Sequence, residues 1–272
     1  MNVVMEARRL LHRAGIDVIR WPHRPESGVI DWALGEVIRT RGINCVIDVG
    51  GNTGQFARRL RDLGYTGRIV SFEPSPAALP DITAAAARDQ DWTVRPVGLS
   101  SRPGEAELRL RQESQLNSLH DELPGVVDQV PKMERVGTAA VALSTLEAEF
   151  PQVIAGIPGP RVLLKSDTQG HDLEVLRGAG ENGLDPRVLA VLIELVPQAV
   201  YRDQPAMTAV MDHIISDGFT VVAFEPLFES SDGLRPVELD GLFMRPASDA
   251  PDWGYNQARR PGRGVPPVVP AG

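Results

Sequence analysis

The chain has 272 residues, of which 42% are apolar, and a formal net charge of −8 at pH 7. This length and composition suit one sizeable α/β domain with extensions, and the excess of acidic side chains argues against wholesale binding to nucleic-acid phosphates. Cys45 is the single cysteine, so an internal disulfide is excluded and a reducing compartment is expected.

The N-terminal part, residues 1–41, is predicted to be a helical extension. Pro22 and Pro25 interrupt it because proline disrupts a continuous helix, and a second helix is predicted from Val29 to Arg39. Residues 1–20 lack the continuous apolar stretch of a signal peptide, and no segment approaches the roughly 18 apolar residues of a membrane span. We therefore expect a cytoplasmic protein with no membrane span.

Short apolar segments recur after this extension, with helical stretches between most of them. The predicted strands are Cys45–Val49, Gly67–Phe72, Trp92–Val97, Arg161–Ser166 and Leu189–Glu194. Such alternation predicts a parallel sheet that is covered on both faces.

The end of the domain breaks this alternation. Segments Phe219–Phe224 and Asp240–Arg245 are separated by a polar loop that contains Gly233 and Pro236, so we predict an antiparallel pair. A mostly parallel sheet that ends in an antiparallel pair is the layout of the class I methyltransferase fold. The domain is predicted to cover residues 42–246, and the Pro- and Gly-rich tail, residues 247–272, is predicted to be disordered.

The first predicted strand runs through a glycine turn into a helix. Its glycines stand at positions 50, 51 and 54, which matches neither the dinucleotide fingerprint nor the lysine-containing P-loop. Instead, Asp48 ends the strand and the glycines let a ligand approach the backbone closely. An ammonium group near Asp48 and a carboxylate near the helix amides both fit this arrangement. S-adenosylmethionine carries both groups and no phosphate.

A second acid, Glu73, follows the turn by about 20 residues, the spacing at which a carboxylate binds ribose hydroxyls in related folds. A helix cap or a solvated acid is the alternative for Glu73. Trp92 or the segment Gly98–Ser100 is placed to flank an adenine ring. The predicted cofactor-binding residues are Asp48, Gly50, Asn52, Thr53, Gly54, Gln55, Glu73, Ser75 and Gly98.

Five segments resemble the successive motifs of the FkbM family of S-adenosylmethionine-dependent methyltransferases. They are residues 46–56 (VIDVGGNTGQF), 71–76 (SFEPSP), 116–119 (LNSL), 164–179 (LKSDTQGHDLEVLRGA) and 240–245 (DGLFMR). One departure is Gly51, where the family more often has alanine. The resemblance implies a Rossmann-like, seven-stranded, mostly parallel sheet of order 3-2-1-4-5-7-6. It also implies an enzyme of a family that commonly O-methylates sugars, glycolipids or polyketide products in bacteria.

With this strand order, Asp167, Glu194 and Asp240 would meet at the carboxyl edge of the sheet, where open α/β sheets bind ligands. In one mechanism His171 is the general base for a hydroxyl, with a carboxylate such as Asp167 orienting its ring. In the other, Asp167, Glu194 and Asp240 hold a divalent metal, Mg²⁺ suiting oxygen ligands best. The alternatives are a helix-start role for His171 and acids that only position substrate hydroxyls.

Lys165, one of only two lysines, stands inside a predicted strand next to these acids. It is predicted to belong to the catalytic residues with Asp167 and His171, or to form a salt bridge with Asp48 or Glu194. The predicted substrate-binding residues are Asn117, Ser118, Gln169 and Glu194, with His120, Tyr201 and Asp203 as further candidates. For Asn117 and Ser118, the polarity of a solvated loop is the alternative.

The sequence as a whole predicts an O-methyltransferase that uses S-adenosylmethionine, with Mg²⁺ in the metal-assisted version. Its expected partner is a small hydroxylated acceptor, a sugar, glycolipid or polyketide, and the enzyme could form a homodimer. The rival functions are N- or C-methylation on the same fold and a scaffold protein that binds the cofactor without catalysis.

Overall fold

The computed structural model describes residues 28–229 and 236–247. Residues 1–27 of the predicted N-terminal extension and nearly all of the predicted tail lie outside these residues. The helices are α1 (Val29–Arg41), α2 (Gln55–Asp62), α3 (Leu79–Ala86), α4 (Val126–Gln129), α5 (Leu146–Val153), α6 (Asp172–Arg177) and α7 (Met207–Ser216). The strands are β1 (Cys45–Val49), β2 (Arg68–Phe72), β3 (Trp92–Arg95), β4 (Gly98–Leu99), β5 (Gly104–Arg111), β6 (Arg135–Ser144), β7 (Val162–Ser166), β8 (Val188–Leu195), β9 (Thr220–Glu229) and β10 (Pro236–Met244).

The main sheet has seven strands in the order β3-β2-β1-β7-β8-β10-β9. Strands β3, β2, β1, β7 and β8 are parallel, whereas β10 runs antiparallel to both β8 and β9. Numbered within this sheet alone, the order is 3-2-1-4-5-7-6, so the predicted class I layout is confirmed. Strands β1 and β7 are buried at every position because helices cover both faces of a parallel sheet.

Two apolar cores, one on each face, hold the helices against the main sheet. Helices α1, α2 and α3 contribute Leu34, Leu60 and Ile82 to one core, and helices α5, α6 and α7 contribute Phe150, Leu176 and Ile214 to the other. Complete burial of each such side chain stabilises the fold by about 1.5–3 kcal/mol. Helix α1 confirms the second helix that was predicted from Val29 to Arg39. It belongs to the domain because its apolar face completes the first of these two cores.

A smaller sheet, β4-β6-β5, is inserted between β3 and β7 and was not predicted. The predicted third strand, Trp92–Val97, stops at Arg95, and the chain then leaves the main sheet to pair Gly98 and Leu99 with β6. The alternation of apolar and charged residues in Gly104–Arg111 was the available signal for β5.

The antiparallel pair at the sheet edge is longer than predicted. Pro236 lies in β10 rather than in the connecting loop, and it pairs with Glu229 of β9. Helix α1 contacts this antiparallel pair. Its first two amides, Val29 N and Ile30 N, donate hydrogen bonds to the Glu225 carboxylate of β9 at 2.7 and 3.1 Å. Among the described helices, none combines the length and hydropathy needed to cross a bilayer.

Candidate functional site

The glycine turn joins β1 to α2 at the carboxyl edge of the main sheet. Gly50 and Gly54 have φ angles of +75° and +91°, and Asn52 has a φ of +46°, a region that favours glycine. A Cβ atom on Gly50 would lie 1.9 Å from the carbonyl oxygen of Asp167. The turn therefore packs directly against the end of β7, and a side chain at position 50 has no room.

Asp48 lies beneath this turn and is fully buried. Its Oδ2 accepts a hydrogen bond from Ser71 Oγ at 2.7 Å, and Ser71 Oγ accepts one from Trp92 Nε1 at 3.0 Å. Lys165 Nζ lies 3.3 Å from Asp48 Oδ1. The sequence suggested a direct contact between Asp48 and a ligand ammonium group. The structure corrects this, because the carboxylate has no exposed surface and supports the turn from below.

Lys165 connects the glycine turn to Asp167. Besides Asp48, its ammonium group reaches the carbonyl oxygens of Val49 and Gly50 at 3.2 and 2.9 Å and lies 3.7 Å from Asp167 Oδ2. Burial by itself would lower the pKa of Lys165, but the carboxylates of Asp48 and Asp167 outweigh it and raise that pKa. Lys165 is therefore a permanent cation that braces the site, and of its two predicted salt-bridge partners it pairs with Asp48.

Glu73 joins the glycine turn to the end of β2. Its carboxylate accepts from Asn52 N and from Ser75 N, both at 2.7 Å. Burial raises the pKa of Glu73 more than these two amides lower it. Each carboxylate oxygen can accept a second hydrogen bond, so the acid keeps capacity for a ligand. Thr53 is half-buried at the start of α2.

Three further predicted residues surround this region. Gln55 is the first residue of α2 and is exposed. Trp92 is buried, and a Cβ atom on Gly54 would lie 2.5 Å from the Trp92 ring. Gly98, in β4, is packed against Leu143 and Pro74. The buried Trp92 thus forms the floor of the turn, and Gly98 lies beside the segment that follows Glu73.

The inserted segment after β5 is tied to both turns of the site. Ser114 Oγ donates to Asn52 Oδ1 at 3.2 Å, and Asn117 Nδ2 lies 3.5 Å from Ser75 Oγ. Ser118 is almost fully buried and its hydroxyl donates to the carbonyl oxygen of Gln169 at 2.7 Å. This corrects the substrate contact predicted for Ser118, because its hydroxyl holds the insertion over the site.

Four carboxyl groups, Asp167, Glu194, Glu238 and Asp240, form what we call the acid rim. Asp240 lies directly opposite Glu194 in the register of β10 and β8, and Glu238, two residues before Asp240, faces the same side of β10. The Gln169 amide lies within hydrogen-bond distance of both Glu194 and Asp167, so the three predicted acids, Asp167, Glu194 and Asp240, do lie together. Glu238 was missed, although its spacing from Asp240 in a strand was a usable signal.

Burial and mutual repulsion raise the pKa of three acids in the rim. Burial and then the charge of Asp167 raise the pKa of Glu238 to about 7 and that of Asp240 to about 6. The same two causes raise the pKa of Glu194 well above its usual value. Glu194, Glu238 and Asp240 therefore bind protons at higher pH than ordinary carboxyl groups do.

The acid rim does not fit a metal ion. Over residues 28–229 and 236–247, no group of three or more His, Cys, Asp or Glu side chains is placed to hold one. The Glu194 carboxylate is occupied by the Gln169 amide at 2.9 and 3.0 Å, and Asp240 lies 3.9 Å from the Arg59 guanidinium. The predicted set of Asp167, Glu194 and Asp240 thus lacks the octahedral arrangement that Mg²⁺ requires, and no catalytic step is assigned to a metal.

His171 occupies the N-cap position of α6. Its Nδ1 lies 3.1 Å from His120 Nε2 and its Nε2 lies 2.9 Å from Ser100 Oγ, so both ring nitrogens are engaged. Burial and then the neighbouring His120 lower the pKa of His171 to about 4. The carboxylate predicted to orient this ring is replaced by His120, and a neutral imidazole of such low pKa is a weak general base.

A comparison with protein families decides the identity of the chain. The family described as the methyltransferase FkbM domain matches residues 48–221. The chain belongs to the FkbM methyltransferase family. It is a methyltransferase that depends on S-adenosylmethionine. A search of curated proteins finds no match.

Several solved structures are similar to this FkbM methyltransferase, among them the following three. Magnesium protoporphyrin IX methyltransferase from Synechocystis PCC 6803, with bound S-adenosylmethionine, is 10% identical, with 90% of this chain and 85% of that chain covered and a TM-score of 0.42. Fibrillarin from Aeropyrum pernix is 12% identical, with 74% and 66% covered and a TM-score of 0.41. An rRNA methylase from Streptococcus thermophilus is 11% identical, with 83% and 99% covered and a TM-score of 0.41.

The family match ends within β9 of the FkbM methyltransferase. The glycine turn, Glu73, Asp167 and Glu194 lie inside it, whereas Glu238 and Asp240 of β10 lie beyond residue 221. The acid rim is therefore assembled from the matched region and from the strand that follows it.

Proposed function

We propose that this enzyme transfers the methyl group of S-adenosylmethionine to a hydroxyl oxygen of a small molecule, a sugar, glycolipid or polyketide-type product. One observation carries the proposal. Asp167 touches the glycine turn through its backbone carbonyl and contributes its carboxylate to the acid rim. A methyl donor over the turn and a hydroxyl at the rim would therefore be neighbours.

The residues around the turn fit S-adenosylmethionine in three respects. Gly50 and Gly54 allow the positive φ angles that shape the turn, Glu73 has acceptor capacity for ribose hydroxyls, and the amides at the start of α2 suit the ligand carboxylate. When bound, this cofactor supplies an activated methyl group on a sulfonium. The protein must then align the acceptor oxygen with that methyl group, a contribution that can reach several kcal/mol.

Asp167 is the residue that we assign to the acceptor hydroxyl. Its side chain is 43% exposed, whereas that of Asp240 is 16% exposed and Glu194 is buried. Lys165 offsets part of its charge and holds it next to the turn. As the hydroxyl attacks, it releases a proton, and the Asp167 carboxylate beside it is suited to receive that proton as general base.

The test incubates the enzyme with labelled S-adenosylmethionine and extracts of bacteria that make methylated sugars, glycolipids or polyketides. We expect the label on an ether oxygen, with transfer unaffected by EDTA. Asp167→Asn should reduce turnover by 100-fold or more, the scale of a general-base loss, whereas His171→Gln should reduce it far less.

Other outcomes would overturn the proposal. Label on nitrogen or carbon, with little effect of Asp167→Asn, would identify an N- or C-methyltransferase. An alkali-labile methyl group would identify a carboxylate acceptor. Binding of S-adenosylhomocysteine without turnover on any extract would favour a scaffold protein. Loss of activity in EDTA would show that a metal is required.

A further inference from the structure

The Gln169 side chain stands between the acid rim and a buried tyrosine. Its Nε2 group lies 2.9 and 3.0 Å from the two oxygens of Glu194 and 3.2 Å from Asp167 Oδ1. On the other side, its Oε1 accepts a hydrogen bond from Tyr201 Oη at 2.9 Å. One amide group thus links two carboxylates of the rim to a residue 32 positions away in sequence.

Tyr201 determines which way this amide points. The NH₂ side of Gln169 faces both oxygens of Glu194, so Oε1, on the other side of the amide, needs a separate hydrogen-bond donor. Burial and then the charge of Glu194 raise the pKa of Tyr201, so its phenol keeps its proton. Gln169 Oε1, at 2.9 Å, is a nearer acceptor for that proton than Leu116 O, at 3.3 Å. Tyr201 is itself 2% exposed, and Val200 N and Tyr201 N both donate to Gln204 Oε1, which holds the phenol-bearing loop.

The backbone of Gln169 is also held in an unusual conformation. Its φ angle is +52°, uncommon for a residue other than glycine, and its carbonyl oxygen accepts from Ser118 Oγ. Such conformations persist where the surrounding structure enforces them, commonly at functional sites. Backbone and side chain of Gln169 are therefore both fixed by residues from outside its own turn.

We propose that Tyr201 is a positioning residue for methyl transfer: its hydroxyl orients the Gln169 amide, which holds the Glu194 and Asp167 carboxylates in place for the acceptor. The effect on methyl transfer rests on the proposed role of Asp167. The hydrogen-bond relay itself does not, because it can be measured without any acceptor.

The first test is an infrared titration of the rim carboxyl groups in the full chain, with the Glu194 band assigned by Glu194→Gln. Tyr201→Phe frees the amide to turn its oxygen toward Glu194, which favours the protonated carboxyl. We expect the titration of Glu194 to move upward by roughly one pH unit. An unchanged Glu194 titration would overturn the proposal.

Tyr65→Phe is the matched control. Tyr65 is also buried, at 6% exposure, and its hydroxyl donates to Arg68 O at 3.2 Å, at the start of β2 on the opposite edge of the sheet. It should leave the Glu194 titration unchanged. If Tyr201→Phe does not fold, Gln169→Leu serves as the second variant. It removes the amide that donates to Glu194 and should produce the same upward shift of the Glu194 titration. No shift in Gln169→Leu would refute the relay.

The second test measures turnover of the labelled acceptor. Tyr201→Phe should lower kcat about tenfold and leave the KM for S-adenosylmethionine unchanged. In a Gln169→Leu background, Tyr201→Phe should lower kcat little further, because both substitutions break the same relay. Losses that multiply would refute the relay. A shifted titration with label on nitrogen would refute the proposed hydroxyl acceptor alone, and label on oxygen with no shift would refute the positioning role alone.

Discussion

Lys165→Met offers the sharpest test of how the site is built. The substitution keeps a long apolar stem but removes the ammonium group that lies 3.3 Å from Asp48 Oδ1. Asp48 would then be a fully buried carboxylate that keeps a hydrogen bond from Ser71 Oγ but no neighbouring ammonium group. The carbonyl oxygen of Gly50 would lose the Lys165 donor as well, whereas that of Val49 would still accept from Asp167 N.

The expected loss follows from this geometry. Two unit charges 3.3 Å apart attract by about 5 kcal/mol at an effective dielectric constant of 20. Removing one partner of a buried ion pair leaves the other charge uncompensated, which costs about 3–5 kcal/mol. Since a domain has a free energy of unfolding of only about 5–15 kcal/mol, Lys165→Met should lose a large fraction of it.

Urea unfolding, followed by circular dichroism, measures this loss. The other lysine is the control: Lys132 is 70% exposed and lies 3.6 Å from an exposed Glu113, so Lys132→Met should stay near wild-type stability. Adding Asp48→Asn to Lys165→Met should recover part of the loss because the buried charge is gone. A Lys165→Met variant within about 1 kcal/mol of the wild type would contradict the reasoning.

Three further predictions concern the turn and the titrating groups. Gly50→Ala should abolish S-adenosylhomocysteine binding in calorimetry, because the new Cβ atom would lie 1.9 Å from Asp167 O. Gly64→Ala is the control: Gly64 has a φ of +85° and open space around it, so this variant should bind S-adenosylhomocysteine normally. Glu238 has a folded-state pKa of about 7, so its folded form binds more protons and stability should fall as pH rises from about 5 to 7; Glu238→Gln should remove this trend in urea titrations. His171 has a folded-state pKa of about 4, so the unfolded state binds more protons and stability should fall as pH drops from 6.5 to 4, less steeply in His171→Gln.

Each of these has a clear contrary result. Equal ligand binding by Gly50→Ala and Gly64→Ala would show that the turn can open away from β7. Parallel pH profiles for the wild type and Glu238→Gln would place that carboxyl group in solvent. Identical acid sensitivity of His171→Gln and the wild type would mean that the histidine pair opens freely.

The parallel sheet, its antiparallel edge and the glycine turn were predictable because short local segments of the sequence indicate them, whereas the strand order came from the resemblance to the FkbM family. Apolar segments with helical stretches between them indicate a parallel sheet, and the lack of a crossover helix before β10 indicates an antiparallel edge. The convergence of Asp167, Glu194 and Asp240 followed from that order, since residues at the ends of adjacent parallel strands share an edge. The inserted sheet was missed even though β5 alternates apolar and charged residues, and its two-residue strand β4 carries no periodic signal of its own.

The partners of each polar group were decided by tertiary structure. From the sequence, Asp48 and Ser118 looked available to ligands and His171 looked free to act as a base. The fold buries Asp48 against Lys165, uses Ser118 to hold Gln169, and pairs His171 with His120. These contacts join residues 51 to 117 positions apart, and hydrogen-bonding capacity along a sequence does not specify which distant group will satisfy it. Residue type thus determined what each side chain could do, and packing determined what it does.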